Sequence, residues 1–236
     1  MSAEDIPVPN WKPAKLPDSR TLEGRFVRLE KLDAARHGDG LWAAFQGPGS
    51  DPKLWDYLWT GPFDTREKFD TWLRAHAATT DPWTYAVVDQ NTGVIHGTLA
   101  FMSIVPMHGR IELGRVVFGA SMQRTPKSTE AVYLLAKEAI ALGYRRLEWS
   151  CNVRNVRSHR AALRFGFRFE LVFRQYTVIK GRSVDVAWYS ITAEEWPILQ
   201  RAMEAWLSAE NFDEAGCQVK TLEETLCHLM MLGVNV

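Results

Sequence analysis

Three strand-like stretches follow one another with no helix between them: "WTYAVVD" at 83–89, "VIHGTLAFMSIV" at 94–105 and "RIELGRVVFG" at 110–119. The first two are joined by "QNTG", whose turn composition predicts a hairpin. A meander of three strands cannot belong to a purely parallel, doubly wound sheet, so the sheet is mixed. The pattern then changes. "STEAVYLLAKEAIALG" puts Val132, Leu135, Ala139 and Ile140 on one helical stripe. "YRRLEWSC" reads as a strand and "VRSHRAALRF" as a helix, with Gly166 placed to end it in the left-handed conformation. "RFELVFRQYTVI" and "SVDVAWYSI", separated by "KGR", predict a second hairpin. The fold class expected is α/β (α+β), with a mixed, largely antiparallel central sheet flanked by helices.

Ahead of the meander, "GRFVRLEKL" alternates as a strand, and "DAARHGDGLWAAFQG" reads as a helix with Asp33 as N-cap. In "FDTREKFDTWLRAHAAT", Asp64 followed three residues later by Glu67 has the spacing of a capping box, and Phe69, Trp72 and Leu73 form an apolar stripe. Residues 1–22 contain four prolines and read as an extended arm on the surface. Beyond the second hairpin, Trp196, Leu199, Met203 and Trp206 recur at helical spacing, and Leu222, Leu226, Leu229 and Met230 repeat this weakly. The expected organisation is an arm over 1–22, one domain over 23–192, and a helical tail over 193–236. That tail either packs on the domain or meets a second subunit in a homodimer.

Composition narrows the function classes. A chain of 236 residues can bury one good core, and 46% hydrophobic with 24% charged residues is an ordinary globular balance. Basic and acidic residues are equal at 28 each, so no global field favours nucleic acid or an acidic membrane. No apolar run approaches the ~18 residues of a membrane span, and no basic-then-apolar leader opens the chain. Cys151, Cys217 and Cys227 form no C-x-x-C pair, which points to a reducing compartment and a cytoplasmic location. The six histidines are scattered, so no metal site is expected. Ten tryptophans imply large apolar faces.

The junction "ASMQRTPKSTEA" at 120–131 stands where a strand gives way to a helix, a place where unpaired amides and the helix dipole attract phosphate. With the stretch before it, "RIELGRVVFG", it resembles the corresponding region of the GNAT acetyltransferases. The family has an acidic residue before a glycine, here Glu112-Leu113-Gly114, and then a Q/R-x-x-G-x-G/A loop, here Gln123 to Ser128 with Pro126 in place of a glycine. "CNVRNVRSHRAALRFGFRFE" at 151–170 resembles the N-x-x-S helix, G-F pair and acidic residue of the RimJ/RimL-type branch, and "KGRSVDVAWYS" at 180–190 its terminal hairpin. The resemblance covers about residues 22–192.

This resemblance implies an N-acetyltransferase that moves acetyl from acetyl-CoA directly to a primary amine, of a protein N-terminus or a small molecule, in a ternary complex. The alternative is an inactive CoA-binding or protein-interaction module on the same fold. The cosubstrate pyrophosphate would meet the amides of Gln123, Arg124, Thr125, Lys127 and Ser128, with charge from Arg124 and Lys127. The pantetheine would meet the strand amides at Val116 and Val117, where the family's sheet splays, and also Asn152 and Asn155. The tyrosine that many members place before G-F is absent, Ala162 and Leu163 standing there, so Ser158 is the candidate to hydrogen-bond the departing thiolate. The ribosomal-protein member's glutamate in the strand after G-F is replaced by Thr177, and Glu112 is the candidate base. Trp55, Tyr57, Trp59 and Phe63 either line the acceptor pocket or plug the gap between helices and sheet. Asp185 is expected to fix the terminal hairpin, and Cys151 to be a buried thiol rather than an acyl carrier.

Overall fold

The structure is a computed structural model that describes residues 7–231; residues 1–6 of the expected arm and 232–236 of the expected tail lie outside the described residues. Eight strands form one sheet: β1 (Leu22–Glu23), β2 (Val27–Lys31), β3 (Trp83–Asp89), β4 (Ile95–Val105), β5 (Arg110–Phe118), β6 (Arg146–Asn152), β7 (Arg168–Ile179) and β8 (Arg182–Thr192). Their spatial order is β1-β2-β3-β4-β5-β6-β8-β7, and β5 with β6 is the parallel pair in an otherwise antiparallel sheet. The meander is thus β3-β4-β5, and the crossover helix between β5 and β6 makes the sheet mixed.

Alternation along the central strands separates two cores. Ala86 of β3 and Val117 of β5 face a smaller core built by α1 (Ala34–Gln46) and α2 (Arg66–Ala77), with Leu41, Phe45, Phe69 and Leu73. On the other face Tyr85, Leu99, Phe101, Ile111 and Leu113 meet α3 (Pro126–Ala141), α4 (Val156–Arg164) and α5 (Trp196–Leu207). Trp196, Leu199, Met203 and Trp206 are all buried in this larger core, and Tyr133 of α3 stacks on Trp196. A last helix, α6 (Leu222–Met231), packs on α5 and buries Leu222. Gly166 does end α4 with φ +86°, and a Cβ there would stand 2.4 Å from Leu199, so both conformation and close packing require glycine.

Two helix starts differ from the sequence reading. The N-cap of α2 is Thr65, whose hydroxyl accepts from the Lys68 amide, while Asp64 pairs with the Lys68 ammonium at 2.7 Å. The residue with extended backbone directly before the helix makes the cap, and that residue is Thr65. Helix α3 begins at Pro126, two residues before the expected start, because proline suits the first helical position, where its missing N–H has no partner to lose.

In the described part of the arm, the Ala14 amide donates to the Pro106 carbonyl, the Lys15 amide to that of Leu142, and the Trp11 indole to that of Met107. Glu130, in the first turns of α3, accepts the backbone amides of Arg25, Phe26 and Val27 at 2.6–2.8 Å. This carboxylate fastens the β1–β2 turn to the helix that follows the loop.

Candidate active site

The opening in the sheet arises from strand pairing. β5 and β6 pair at Arg110, Ile111 and Glu112, opposite Arg146, Leu147 and Glu148, and then separate, although β5 runs on to Phe118 and β6 to Asn152. Beyond Glu112, the edge of β5 that faces β6 has no strand partner among the described residues, so its amides are available to a ligand. A bulge helps to turn β5. Ala100 opposes Gly114 and Thr98 opposes Val117, which leaves one extra residue on β5, and Arg115 takes φ +48°. Val116 lies within this bulge at the split. Val117 also pairs with β4, and its side chain is buried in the α1–α2 core.

The loop from Gly119 to Thr125 leads from β5 to α3. Of the five amides expected to meet phosphate, those of Thr125 and Ser128 are already used, donating to the Met122 and Thr125 carbonyls at 3.3 and 3.1 Å. Their hydroxyls donate to the same two carbonyls, so neither caps the helix, and α3 starts without a side-chain cap. The amides of Gln123, Arg124 and Lys127 have no acceptor among the described residues. The Gln123 side chain turns back to the Phe118 carbonyl at 2.9 Å.

The two cations of this loop differ. Arg124 is exposed, with φ +62°. Lys127 is tied up: its ammonium pairs at 2.5 Å with Asp89, which is 3% exposed. Burial by itself would raise the Asp89 pKa, but hydrogen bonds from Lys127, Thr92 and the Asn91 amide outweigh it and hold the carboxyl well below the usual range. The expectation of two available charges at the loop is corrected to one, Arg124.

On the other side of the split, Asn155 is the N-cap of α4, its side-chain oxygen accepting from the Ser158 amide at 3.2 Å. Asn152 holds the preceding turn by accepting the Arg154 amide at 2.9 Å. The Ser158 hydroxyl accepts from the Trp149 indole at 3.0 Å, which leaves its own proton to donate. It lies within hydrogen-bonding reach of Cys151, whose thiol burial pushes up to about 11. Cys151 is therefore a protonated, buried thiol at neutral pH.

Glu112 is 3% exposed on the opposite face of the sheet. Its two carboxylate oxygens accept from Ser150 at 2.6 Å and Ser103 at 3.1 Å. Burial raises its pKa, against the lowering effect of those two hydroxyls, and Glu148 and Asp81 add to the rise. Glu112 thus stands at the last paired position before the strands part.

The four aromatic residues expected around the acceptor divide. Trp55 is 2% exposed and packs edge-on against Phe45, Phe63 and Trp72 in the α1–α2 core, and Phe63 belongs to the same cluster. These two plug the gap between helices and sheet and are corrected from pocket to core. Tyr57 and Trp59 are exposed. The Tyr57 hydroxyl donates to the Arg154 carbonyl at 3.0 Å and Lys180 to that of Trp55 at 2.8 Å, while Arg157 pairs with Asp51 at 2.6 Å. Residues 51–59 therefore cross from the α1–α2 core to the β6–α4 turn and the tip of the β7–β8 hairpin. A cleft of about 660 Å³ under this crossing is lined by Tyr57, Asn152, Arg154, Lys180 and Asp185 among others. Asp185 accepts the Gln175 amide at 2.7 Å and so holds the β7 bulge, the hairpin role expected of it.

Comparison with known proteins is consistent with this geometry. The model of the acetyltransferase (GNAT) domain matches residues 28–168. A crystal structure of a GCN5-related N-acetyltransferase from Brucella melitensis is 44% identical, covers 93% of this chain and all of its own, and superposes with a TM-score of 0.90. A probable GNAT-family acetyltransferase from Chromobacterium violaceum is 38% identical over 84% of this chain and 98% of its own, with a TM-score of 0.78. RimL, a ribosomal L7/L12 alpha-N-protein acetyltransferase, is 20% identical over 73% of this chain and 94% of its own, with a TM-score of 0.63, a likeness of fold. No curated protein matches the chain.

Proposed function

The chain belongs to the GNAT acetyltransferase family, and from that membership we propose that it transfers acetyl from acetyl-CoA to a primary amine, of a protein N-terminus or a small molecule. The observation that carries the proposal is the parting of β5 and β6 beside the uncapped start of α3. Free strand amides next to a helix N-terminus suit a ligand with an amide-rich arm and a pyrophosphate. The amides of Gln123, Arg124 and Lys127 would hold the pyrophosphate, with Arg124 as the available charge. The β5 edge near Val116, together with Asn152 and Asn155, would hold the pantetheine.

The chemistry assigned to the remaining groups balances without a covalent enzyme intermediate. The acceptor ammonium gives a proton to Glu112, directly or through water, and its lone pair attacks the thioester carbon. The tetrahedral intermediate collapses with cleavage of the C–S bond, and the nitrogen gives up its second proton to solvent as the amide forms. The thiolate then takes a hydrogen bond from Ser158 and a proton from solvent. Glu112 and Ser158 approach from opposite faces, and the split would let both reach one ligand. The Asn155-x-x-Ser158 helix start supports placing the chain in the RimJ/RimL-type branch.

Calorimetric titration with acetyl-CoA tests the proposal. One saturable site is expected, weakened about tenfold in Arg124→Glu, since roughly 1.4 kcal/mol is a reasonable effect for reversing one charge at a helix start. No saturable binding at millimolar cosubstrate overturns the proposal, and binding without CoA release from any amine reduces it to a CoA-binding module. Ser158→Ala is expected to lower kcat by about 10²-fold with little change in acetyl-CoA affinity, the low end for one lost transition-state hydrogen bond. It also leaves the Trp149 indole unpaired, a stability cost of about 1–2 kcal/mol readable by denaturant titration.

A further inference from the structure

Eight Lys and Arg side chains among the described residues are partly buried, and six have a polar partner: Arg28 with Glu30, Arg66 with Asp70, Arg110 with Glu148, Lys127 with Asp89, Arg146 with Glu170, and Arg164 with Thr129. Lys31 and Arg115 have none. The Lys31 ammonium lies 4.3 Å above the Trp83 ring, and its register with Tyr85 puts it on the face of the larger core. Arg115 is different. It sits on the β5 bulge where the sheet parts, its Nε is completely buried with no acceptor, and its guanidinium lies 5.1 Å from the centre of the exposed Trp59 ring.

The carboxylates near Arg115 are engaged elsewhere. Glu112 accepts from Ser103 and Ser150, and Asp81 accepts the backbone amides of Ser103 and Ile104. The other basic group there, His76, is stacked on Trp72 and shares a 3.1 Å hydrogen bond with Thr84. Burial, helped by the charges of Arg115 and Lys31, lowers its pKa to about 4, so it is neutral at physiological pH. Arg115 is therefore a half-buried cation with an unused planar fork of donors, three residues along the strand from the candidate base. Leaving such a group unpaired is costly, and a carboxylate is the partner its geometry fits best.

We infer that Arg115 anchors a carboxylate of the acceptor, so that the substrate is an amine that also carries a carboxylate, with its nitrogen at Glu112 and its acid group against Arg115 beneath Trp59. This rests on the acetyl-transfer reading above and deepens it. A free amino acid is the simplest molecule of this class. An amine without an acid group would leave Arg115 unpaired and bind less well.

The test uses the full-length protein with saturating acetyl-CoA and a panel of L-α-amino acids and short ω-amino acids, each paired with its carboxamide. CoA release gives kcat and KM, and calorimetry with CoA present gives binding independently of turnover. At least one acid is expected to be preferred over its amide. Arg115→Gln is expected to raise KM for the acid by about 30-fold while leaving that of the amide and the affinity for acetyl-CoA unchanged, with Arg115→Lys intermediate. Thermal melting of both variants checks that they fold. If acetyl-CoA binds but no acid is preferred or bound, or if Arg115→Gln alters acetyl-CoA affinity instead, the inference is overturned while acetyl transfer stands. If acetyl-CoA itself does not bind, the function fails first, and the two failures are distinct.

Discussion

Replacing Glu112 with glutamine is expected to lower kcat/KM for the acceptor by about 10²–10³-fold, the range for loss of a positioned general base, while leaving the protein as stable or more so at neutral pH. Both halves follow from one environment. The carboxyl is 3% exposed and is held by two hydroxyls rather than by a cation. Its pKa is raised by burial, so the stability it contributes is full in acid and is lost as pH rises through the raised value. Glutamine keeps an acceptor for the serines and carries no charge to bury. Melting temperatures measured across pH should therefore shift in favour of the variant as pH increases. In kcat/KM profiles, the wild-type acid limb should lie above the usual glutamate range and vanish in the variant. A variant with full activity would move the base to a water chain or another carboxylate.

The largest stability effect is expected from Lys127→Met. The substitution leaves the Asp89 carboxylate beneath the loop without its cation, at a cost of about 2–3 kcal/mol. That is below the ~3–5 kcal/mol of a deeply buried pair, because Lys127 is 31% exposed and water can reach the site. The sign is set by Asp89, whose pKa is depressed in the folded protein: its stabilisation is present above the ordinary carboxylate range and lost as pH falls through the depressed value. Urea titration should show the deficit at neutral pH shrinking in acid. An unchanged midpoint would mean that Asp89 finds an equivalent donor, with His96 at 3.4 Å the neighbour to examine. Because Lys127 supports the loop, Arg124 is the cleaner position for testing phosphate binding.

Strand and helix identity was legible in the sequence because it is written locally. Alternation in "GRFVRLEKL" and the stripe through Val132, Leu135 and Ala139 need no distant partner to be read. Helix starts were less legible. Asp64 and Thr65 are both good caps, and backbone conformation selects Thr65. The aromatic segment shows the same limit. Trp55, Tyr57, Trp59 and Phe63 look alike as residue types, yet two fill the α1–α2 core and two are exposed, because the turn at Gly61 brings the chain back across the Trp55 ring.

Among the candidate site residues, Glu112 and Ser158 could be named from motif positions, but their partners could not. Ser103, Ser150 and Trp149 reach them across strands 9 to 38 residues away in the chain. Arg115 could be read only as part of the strand that the family resemblance expects to splay. Its lack of a partner is a property of everything packed around it, and a positive φ before two β-branched residues leaves no sequence signal beyond Gly114 beside it.

The sequence by itself determined the order of strands and helices, the mixed sheet, the glycine that ends α4, and the strand-to-helix junction at 120–131. These depend on residue type, spacing and backbone preference within a dozen residues. Only the tertiary structure decided where β5 and β6 part, which tryptophan is core and, among the described residues, which loop cation is free and which partly buried arginine is left without a counter-charge. Those outcomes depend on which groups meet across the sheet, and electrostatic pairing and close packing are set by distance in space rather than along the chain.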